Sequence, residues 1–355
     1  VDRPRADAEA PSDIAGGGVA TVRAPIDRRA LGRALTRLAN ASVADILAAS
    51  PDHRIAETRI AAPRIGLTGP PGAGKSSLGG RLAVLRAATR RVGVLAIDPS
   101  SPRTGGAILG DRIRMDDLEG AEHLFVRSLA SRTAGDGLAQ NIPELLHAMD
   151  VAGFDEVILE TVGVGQAEHA VRHQVDTLVL VLNPESGDIV QAMKAGIMEL
   201  ADIYLVNKSD LPGAARLAGE IQRVLHIAGS PSDGWLPPVL QSSIADPASI
   251  VRLSAQIDRH LAWRSASADG AARLAERARY RLRSLLERRV AEITGSLPAA
   301  LLQQPLTTQF ARAIGRLAPG DPSPAHAGEP GRAPAAASPP APASTAHPAP
   351  DTDPR

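Results

Sequence analysis

Seven short apolar runs recur through the middle of the chain: RIGLT (64–68), RVGVLAID (91–98), HLFVRSL (123–129), DEVILET (155–161), TLVLVL (177–182), DIYLV (202–206) and PVLQ (238–241). Each has strand length and β-type composition, and stretches of helical period lie between them. That rhythm predicts an α/β fold built on a doubly wound, mostly parallel sheet covered on both faces. Ahead of it, RRALGRALTRLANASVADILAA (28–49) reads as one or two amphipathic helices. Behind it, Pro247 to His260 and an Arg/Leu-rich stretch near Ala271 to Ile293 read as helices that extend past the sheet, either as caps or as dimer or partner contacts. The two ends carry no periodicity: residues 1–27 mix Gly, Pro and charge, residues 318–355 are Pro/Ala-rich, and both are expected to be disordered.

Composition narrows the chemistry. With 355 residues and 44% hydrophobic content the chain can bury one large α/β core with appendages. A formal net charge of zero provides no general attraction to nucleic acid or anionic lipid, so neither is expected as a partner. Cysteine is absent, which excludes disulfides, thiolate nucleophiles and Cys-ligated zinc. No apolar run approaches the ~18 residues of a membrane span, and the expectation is a soluble cytoplasmic protein. Of the 39 basic residues only Lys75, Lys194 and Lys208 are lysine, so chemistry is the expected reason wherever lysine is used.

Lys75 falls in GLTGPPGAGKSSLGG (66–80), directly after the first apolar run. Gly69, four intervening residues (Pro70, Pro71, Gly72, Ala73), then Gly74, Lys75 and Ser76 match the G-x-x-x-x-G-K-[ST] phosphate loop, with a helix expected near Ser77 to Arg90. The glycines let successive backbone N–H groups and the helix N-terminus face a β-phosphate. Lys75 is placed to reach the β- and γ-oxygens, Ser76 to offer its hydroxyl to Mg²⁺, and Ser77 to complete the cradle.

The base is indicated by Asn207-Lys208-Ser209-Asp210 at the end of DIYLV. A carboxylate there accepts two hydrogen bonds from the N1–H and 2-amino group of guanine, whereas adenine would leave it unpaired. Lys208 is placed to lie over the base, and Asn207 to tie this loop to the phosphate loop. Gln241 ends the next strand, and Ser242, Ser243 and Ile244 follow it, positioned to give a backbone N–H to the guanine O6. Glu160 reaches the carboxyl edge of the sheet before Thr161-Val162-Gly163, in position to hold a Mg²⁺ water, with the Gly163 N–H on the γ-phosphate. Asp98 and Asp111 flank a second candidate switch and are further metal or water-organising carboxylates, and Gln166 is a candidate for orienting water. No nucleophilic side chain is required, because phosphoryl transfer to water is catalysed by positioning and charge stabilisation.

Taken together, GPPGAGKSS, DPSSPRTGGAILGDRIRM, ETVGVGQAE, DIVQAMKAGIMELADIYLVNKSD and the serines at 242 and 243 resemble the MeaB/ArgK family of SIMIBI-class P-loop GTPases, to which the human methylmalonic aciduria type A protein also belongs. The resemblance covers about residues 28–316. It implies a homodimeric GTPase that binds GTP, GDP and Mg²⁺, assists and protects an adenosylcobalamin-dependent acyl-CoA mutase, and gates cofactor loading. It further implies a GTPase domain at 61–264 between a helical extension at 28–60 and a dimerisation or partner extension at 265–317. Asp188 and Lys194 become candidates for coupling nucleotide to mutase. Two departures bear on the identity of that mutase: Asn183-Pro184-Glu185-Ser186-Gly187 replaces a Pro-Gly-Ala-Gly type of turn, and Asp136 stands where glycine is common. Three rival readings are a nickel-delivery GTPase, for which His169 and His173 are the nearest metal pair, a kinase acting on a transport protein, against which Asp210 argues, and a nucleotide-dependent interaction module with little turnover.

Overall fold

The computed structural model describes residues 25–49, 62–99, 123–131, 141–161, 170–185, 201–229, 234–267 and 269–317. Both expected disordered ends, apart from 25–27, lie outside these residues. All seven apolar runs form strands, β1 Arg64–Thr68, β2 Val92–Pro99, β3 Leu124–Ser131, β4 Glu156–Glu160, β5 Thr177–Leu182, β6 Ile203–Val206 and β7 Val239–Gln241. They join one sheet in the order β3-β2-β4-β1-β5-β6-β7, and every strand pair is parallel.

Because alternate side chains point to opposite faces, each run divides between two cores. Leu95, Ile97, Val157, Leu159 and Leu178 face one side, where Leu31 and Leu35 of α1 (Arg28–Asn40) and Leu145, Leu146 and Met149 of α4 (Ile142–Ala152) cover them. Val92, Val94, Ile158, Ile65, Leu67, Val179, Val181 and Ile203 face the other, under α3 (Lys75–Ala87) and α6 (Ala248–Ala266). A third cluster seats Leu180, Leu182, Tyr204 and Val206 against α5 (Ala214–Ala228). Covering both faces explains why the strands read as continuous rather than alternating apolar runs. Gly93 is needed on β2, because a Cβ there would lie 2.2 Å from Met149 Cε.

The stretch 28–49 forms two helices, α1 and α2 (Val43–Ala49). The break is chemical: Ser42 Oγ accepts from the Asp45 N–H at 3.1 Å, while Asp45 Oδ2 accepts from the Ser42 N–H at 3.0 Å. This reciprocal pairing is a capping box. Helix α7 (Gly270–Gly295) fastens to the sheet domain through arginines, with Arg277 on Asp176 at 2.7 Å and Arg281 on Glu144 at 2.8 Å. The end of the sheet opposite the phosphate loop is held by Arg86, whose side chain is 1% exposed and grips Glu156, itself 2% exposed, with two bonds of 2.5 Å. Asp258 of α6, whose side chain is 45% exposed, joins the same guanidinium at 2.8 Å, so α3, β4 and α6 meet at one ion cluster.

The chain divides into two compact units, Val1–Arg289 and Val290–Arg355. Within the second, α8 (Ala299–Leu302) and α9 (Leu306–Gly315) are linked by Gln309 Nε2, which donates to Leu302 O at 3.0 Å and Gln304 O at 2.7 Å. Among the described residues, no helix is long and apolar enough to cross a membrane.

Candidate nucleotide site

The phosphate loop links β1 to α3 at the carboxyl edge of the sheet, with β4 and β5 on either side. Three of its glycines take positive φ, Gly69 at 137°, Gly72 at 78° and Gly74 at 87°. Two also have no room for a side chain: a Cβ on Gly69 would lie 1.9 Å from Val181 O, and one on Gly74 would lie 2.5 Å from Asn207 Nδ2. Helix α3 begins at Lys75, two residues earlier than the sequence suggests, with Gly74 as an N-cap that supplies no side-chain hydrogen bond. Its first-turn N–H groups therefore face the loop without a capping side chain, an arrangement that favours an anion.

Lys75 is buried, and its ammonium donates to Gly69 O at 2.7 Å and Pro70 O at 3.0 Å, across the mouth of the loop. Ser76 Oγ donates to Glu160 Oε1 at 2.6 Å. The sheet register explains this meeting, because Leu67 and Ala96 both pair with Glu160 and bring the ends of β1, β2 and β4 together. Buried Thr161 donates its hydroxyl to Thr68 Oγ1 at 3.0 Å and fixes the exit of β4 beside that of β1. The backbone of Asp98 lies two residues past Ala96 on the same edge, paired with Ala130, while its side chain is outside the described residues. Asp111, Asp136, Gly163, Gln166, His169, Asp188 and Lys194 lie outside them as well. His173, the other half of the possible metal pair, stacks on Tyr280 at 5.2 Å and meets Glu276 Oε1 at 3.0 Å.

The base-recognition segment connects to the loop as its spacing predicts. Asn207 Nδ2 donates to Ala73 O at 2.8 Å, bridging 134 positions of sequence. Lys208 takes φ 54°, uncommon for a residue with a side chain, and its ammonium meets Glu185 Oε2 at 3.3 Å. The turn separates Asn207, directed into the phosphate loop, from exposed Asp210, whose Oδ1 accepts from Ser243 Oγ at 2.5 Å. That hydroxyl, followed by backbone hydrogen bonding, holds the Asp210 carboxyl below its ordinary value; desolvation opposes this, and the nearby Lys208 ammonium adds the smallest contribution. The carboxylate is thus kept in its hydrogen-bond-accepting form.

Ser242 behaves differently from its neighbour. Its N–H donates to Val206 O at 2.9 Å and its buried hydroxyl pairs with Ser249 Oγ at 3.1 Å, so both groups are engaged inside the fold. Ser243, itself buried, faces Asp210, and Ile244 is 77% exposed. Gln241 pairs with Val206 at the end of β7, and Arg81 of α3 donates to Ser243 O at 3.3 Å, tying this loop to the phosphate-binding helix. A further residue enters the site without local sequence warning: Asn183 Nδ2 donates to Gly72 O at 3.1 Å, securing the loop from the β5 side.

Comparison with known proteins agrees with this geometry. A family model described as methylmalonyl-CoA mutase-associated GTPase MeaB matches residues 31–297. A protein of Caulobacter vibrioides that carries a GTPase designation is 42% identical over 255 residues, 70% of this chain and 78% of the relative. The mitochondrial methylmalonic aciduria type A homolog of Caenorhabditis elegans is 39% identical over 194 residues, 53% of this chain and 48% of that protein. A crystal structure of an LAO/AO transport system kinase shares the fold with a TM-score of 0.53 at 24% identity, covering 82% of this chain and 99% of the other. A phosphate loop fastened to a guanine-type segment, together with a match across most of the chain, places this protein in the MeaB family of P-loop GTP hydrolases.

Proposed function

We propose that the chain works as a Mg²⁺-dependent GTP–GDP switch that assists and protects an adenosylcobalamin-dependent acyl-CoA mutase, gating its cofactor loading. The observation that carries this reading is the match of residues 31–297 to a family described by its association with methylmalonyl-CoA mutase. In this reading Lys75 and the backbone N–H groups from Gly72 to Ser77 hold the β- and γ-phosphates, and Asp210, with Asn207, Lys208, Ser243 and Ile244, selects guanine. A hydroxyl and a carboxylate oxygen lie 2.6 Å apart at Ser76 and Glu160, an all-oxygen set that suits Mg²⁺. When bound, the ion neutralises charge on the transferring phosphoryl group. Asp98, Asp111 and Gly163 complete that region, and Asp188 and Lys194 couple it to the mutase.

The proposed assembly is a cytoplasmic homodimer formed through the helices after residue 265. Leu282 and Leu286 are 60% and 51% exposed on α7, and on α9 Leu306, Phe310 and Ile314 recur every fourth residue with at least 50% exposure. Apolar stripes of that kind are suited to burial against another chain.

The test is GTP turnover by the full chain with and without methylmalonyl-CoA mutase and related cobalamin mutases. Stimulation by one of them is expected, with Glu160→Ala sparing GTP affinity while lowering turnover. If no mutase alters turnover or co-purifies in the presence of GTP, the mutase assignment fails and a stand-alone nucleotide module remains.

A further inference from the structure

Away from the nucleotide site, α1 and the edge strand β3 enclose an open groove of about 550 Å³. Five arginines line it, four from α1 (Arg28, Arg29, Arg33, Arg37) and Arg127 from β3, and among the described residues none of its lining is acidic. Arg29, Arg33 and Arg37 are exposed and recur every fourth residue, so they form one row along the helix. No carboxylate among the described residues pairs with any of the three.

A second arginine-lined cavity shows the contrast. It measures about 70 Å³, and its Arg172 and Arg277 are already paired with Asp202 and Asp176. Among the described residues Arg29, Arg33 and Arg37 have no such compensation, in a chain whose total formal charge is zero.

On the floor of the groove one guanidinium N–H is already engaged within the fold. Arg127 Nη2 donates to Thr36 Oγ1 at 2.6 Å, and the Thr36 hydroxyl donates to Gly32 O at 2.9 Å. Recognition is therefore left to guanidiniums on the rim, which match carboxylates in a bidentate manner. Among the described residues no aromatic side chain lines the groove for stacking a base, which disfavours single-stranded nucleic acid. The row from Arg29 to Arg37 spans about 12 Å at 1.5 Å per residue, the length of about four residues of extended chain.

We propose that this groove docks an acidic segment of a partner protein. None of its residues belongs to the nucleotide site, so the proposal stands or falls separately from the GTPase assignment.

The experiment measures fluorescence anisotropy of a labelled polyglutamate peptide titrated with the full chain, at low salt and near physiological ionic strength, where screening acts over about 8 Å. The wild type should bind at low salt and weaken as salt rises. Arg29→Glu/Arg33→Glu/Arg37→Glu should bind at least tenfold more weakly, with GTP affinity and basal turnover unchanged. The milder Arg29→Gln/Arg33→Gln/Arg37→Gln variant should fall between them and serves if charge reversal impairs folding. Equal peptide affinity in wild type and variants, or absence of binding at low salt, overturns the proposal. So does an oligothymidylate of matched charge that binds as tightly as the peptide, which would mark a general polyanion surface.

Discussion

Replacing Gly74 with alanine tests whether the phosphate loop and the base-recognition segment are held as one unit. The new Cβ would lie 2.5 Å from Asn207 Nδ2, on a residue whose φ is 87°. Holding alanine in the left-handed region costs about 1–2 kcal/mol. The Asn207 amide, at the flexible end of its side chain, must also swing away, leaving the carbonyl of fully buried Ala73 without its 2.8 Å donor. An unsatisfied buried carbonyl adds about 1–3 kcal/mol. Asn207→Ala alone incurs only that second cost. The double variant incurs strain and one lost hydrogen bond, not two, so the sum of the single effects should exceed the double by about 1–3 kcal/mol. Urea denaturation of the four proteins gives the cycle directly, and titration with a fluorescent GDP analogue should show Gly74→Ala binding more weakly than wild type. Additivity to within about 0.5 kcal/mol would mean that the methyl group does not displace Asn207, and the coupling argument would be wrong.

Three further outcomes follow from particular contacts. Asp210→Asn exchanges an acceptor for a donor at the purine edge, and GTP affinity should fall roughly 100-fold, from two charged hydrogen bonds of about 1.5 kcal/mol each, while xanthosine triphosphate binding improves; competition titrations with the two nucleotides measure both. Ser243→Ala removes the main cause of the lowered Asp210 pKa, so a carboxyl NMR titration should place the variant's Asp210 higher than wild type. The sign follows from linkage: the contribution of Asp210 is present above its unfolded value near 3.8 and is lost as pH falls through the lower folded value, and the variant should lose it at higher pH. Glu156→Ala strands a guanidinium that is 1% exposed, and with Asp258 remaining as a partial partner it should destabilise the fold by about 3 kcal/mol, read by denaturant titration.

The strands were legible because a sheet covered on both sides makes every strand position apolar, a signal that needs no knowledge of partners. The loop and Asp210 were legible because their chemistry demands fixed spacing over a few residues. Legibility failed wherever a contact spans the chain. Asn183 meets Gly72 across 111 positions and Arg86 meets Glu156 across 70, and neither leaves a local pattern. Ser242 and Ser243 are identical as letters, and only the ladder bond to Val206 and the presence of Ser249 send one inward and leave the other facing Asp210. The break between α1 and α2 did have a local sign in Ser42-Val43-Ala44-Asp45, a capping-box spacing.

Strand β4 carries a carboxylate at each end, and the two are held very differently. Glu156 is clamped between arginines in the protein interior, whereas Glu160, four residues along, rests on a serine hydroxyl at the rim of the phosphate loop. A rod anchored at its base transmits little when its tip is disturbed. A disturbance at the Glu160 end should therefore leave the Glu156 end of the strand in place.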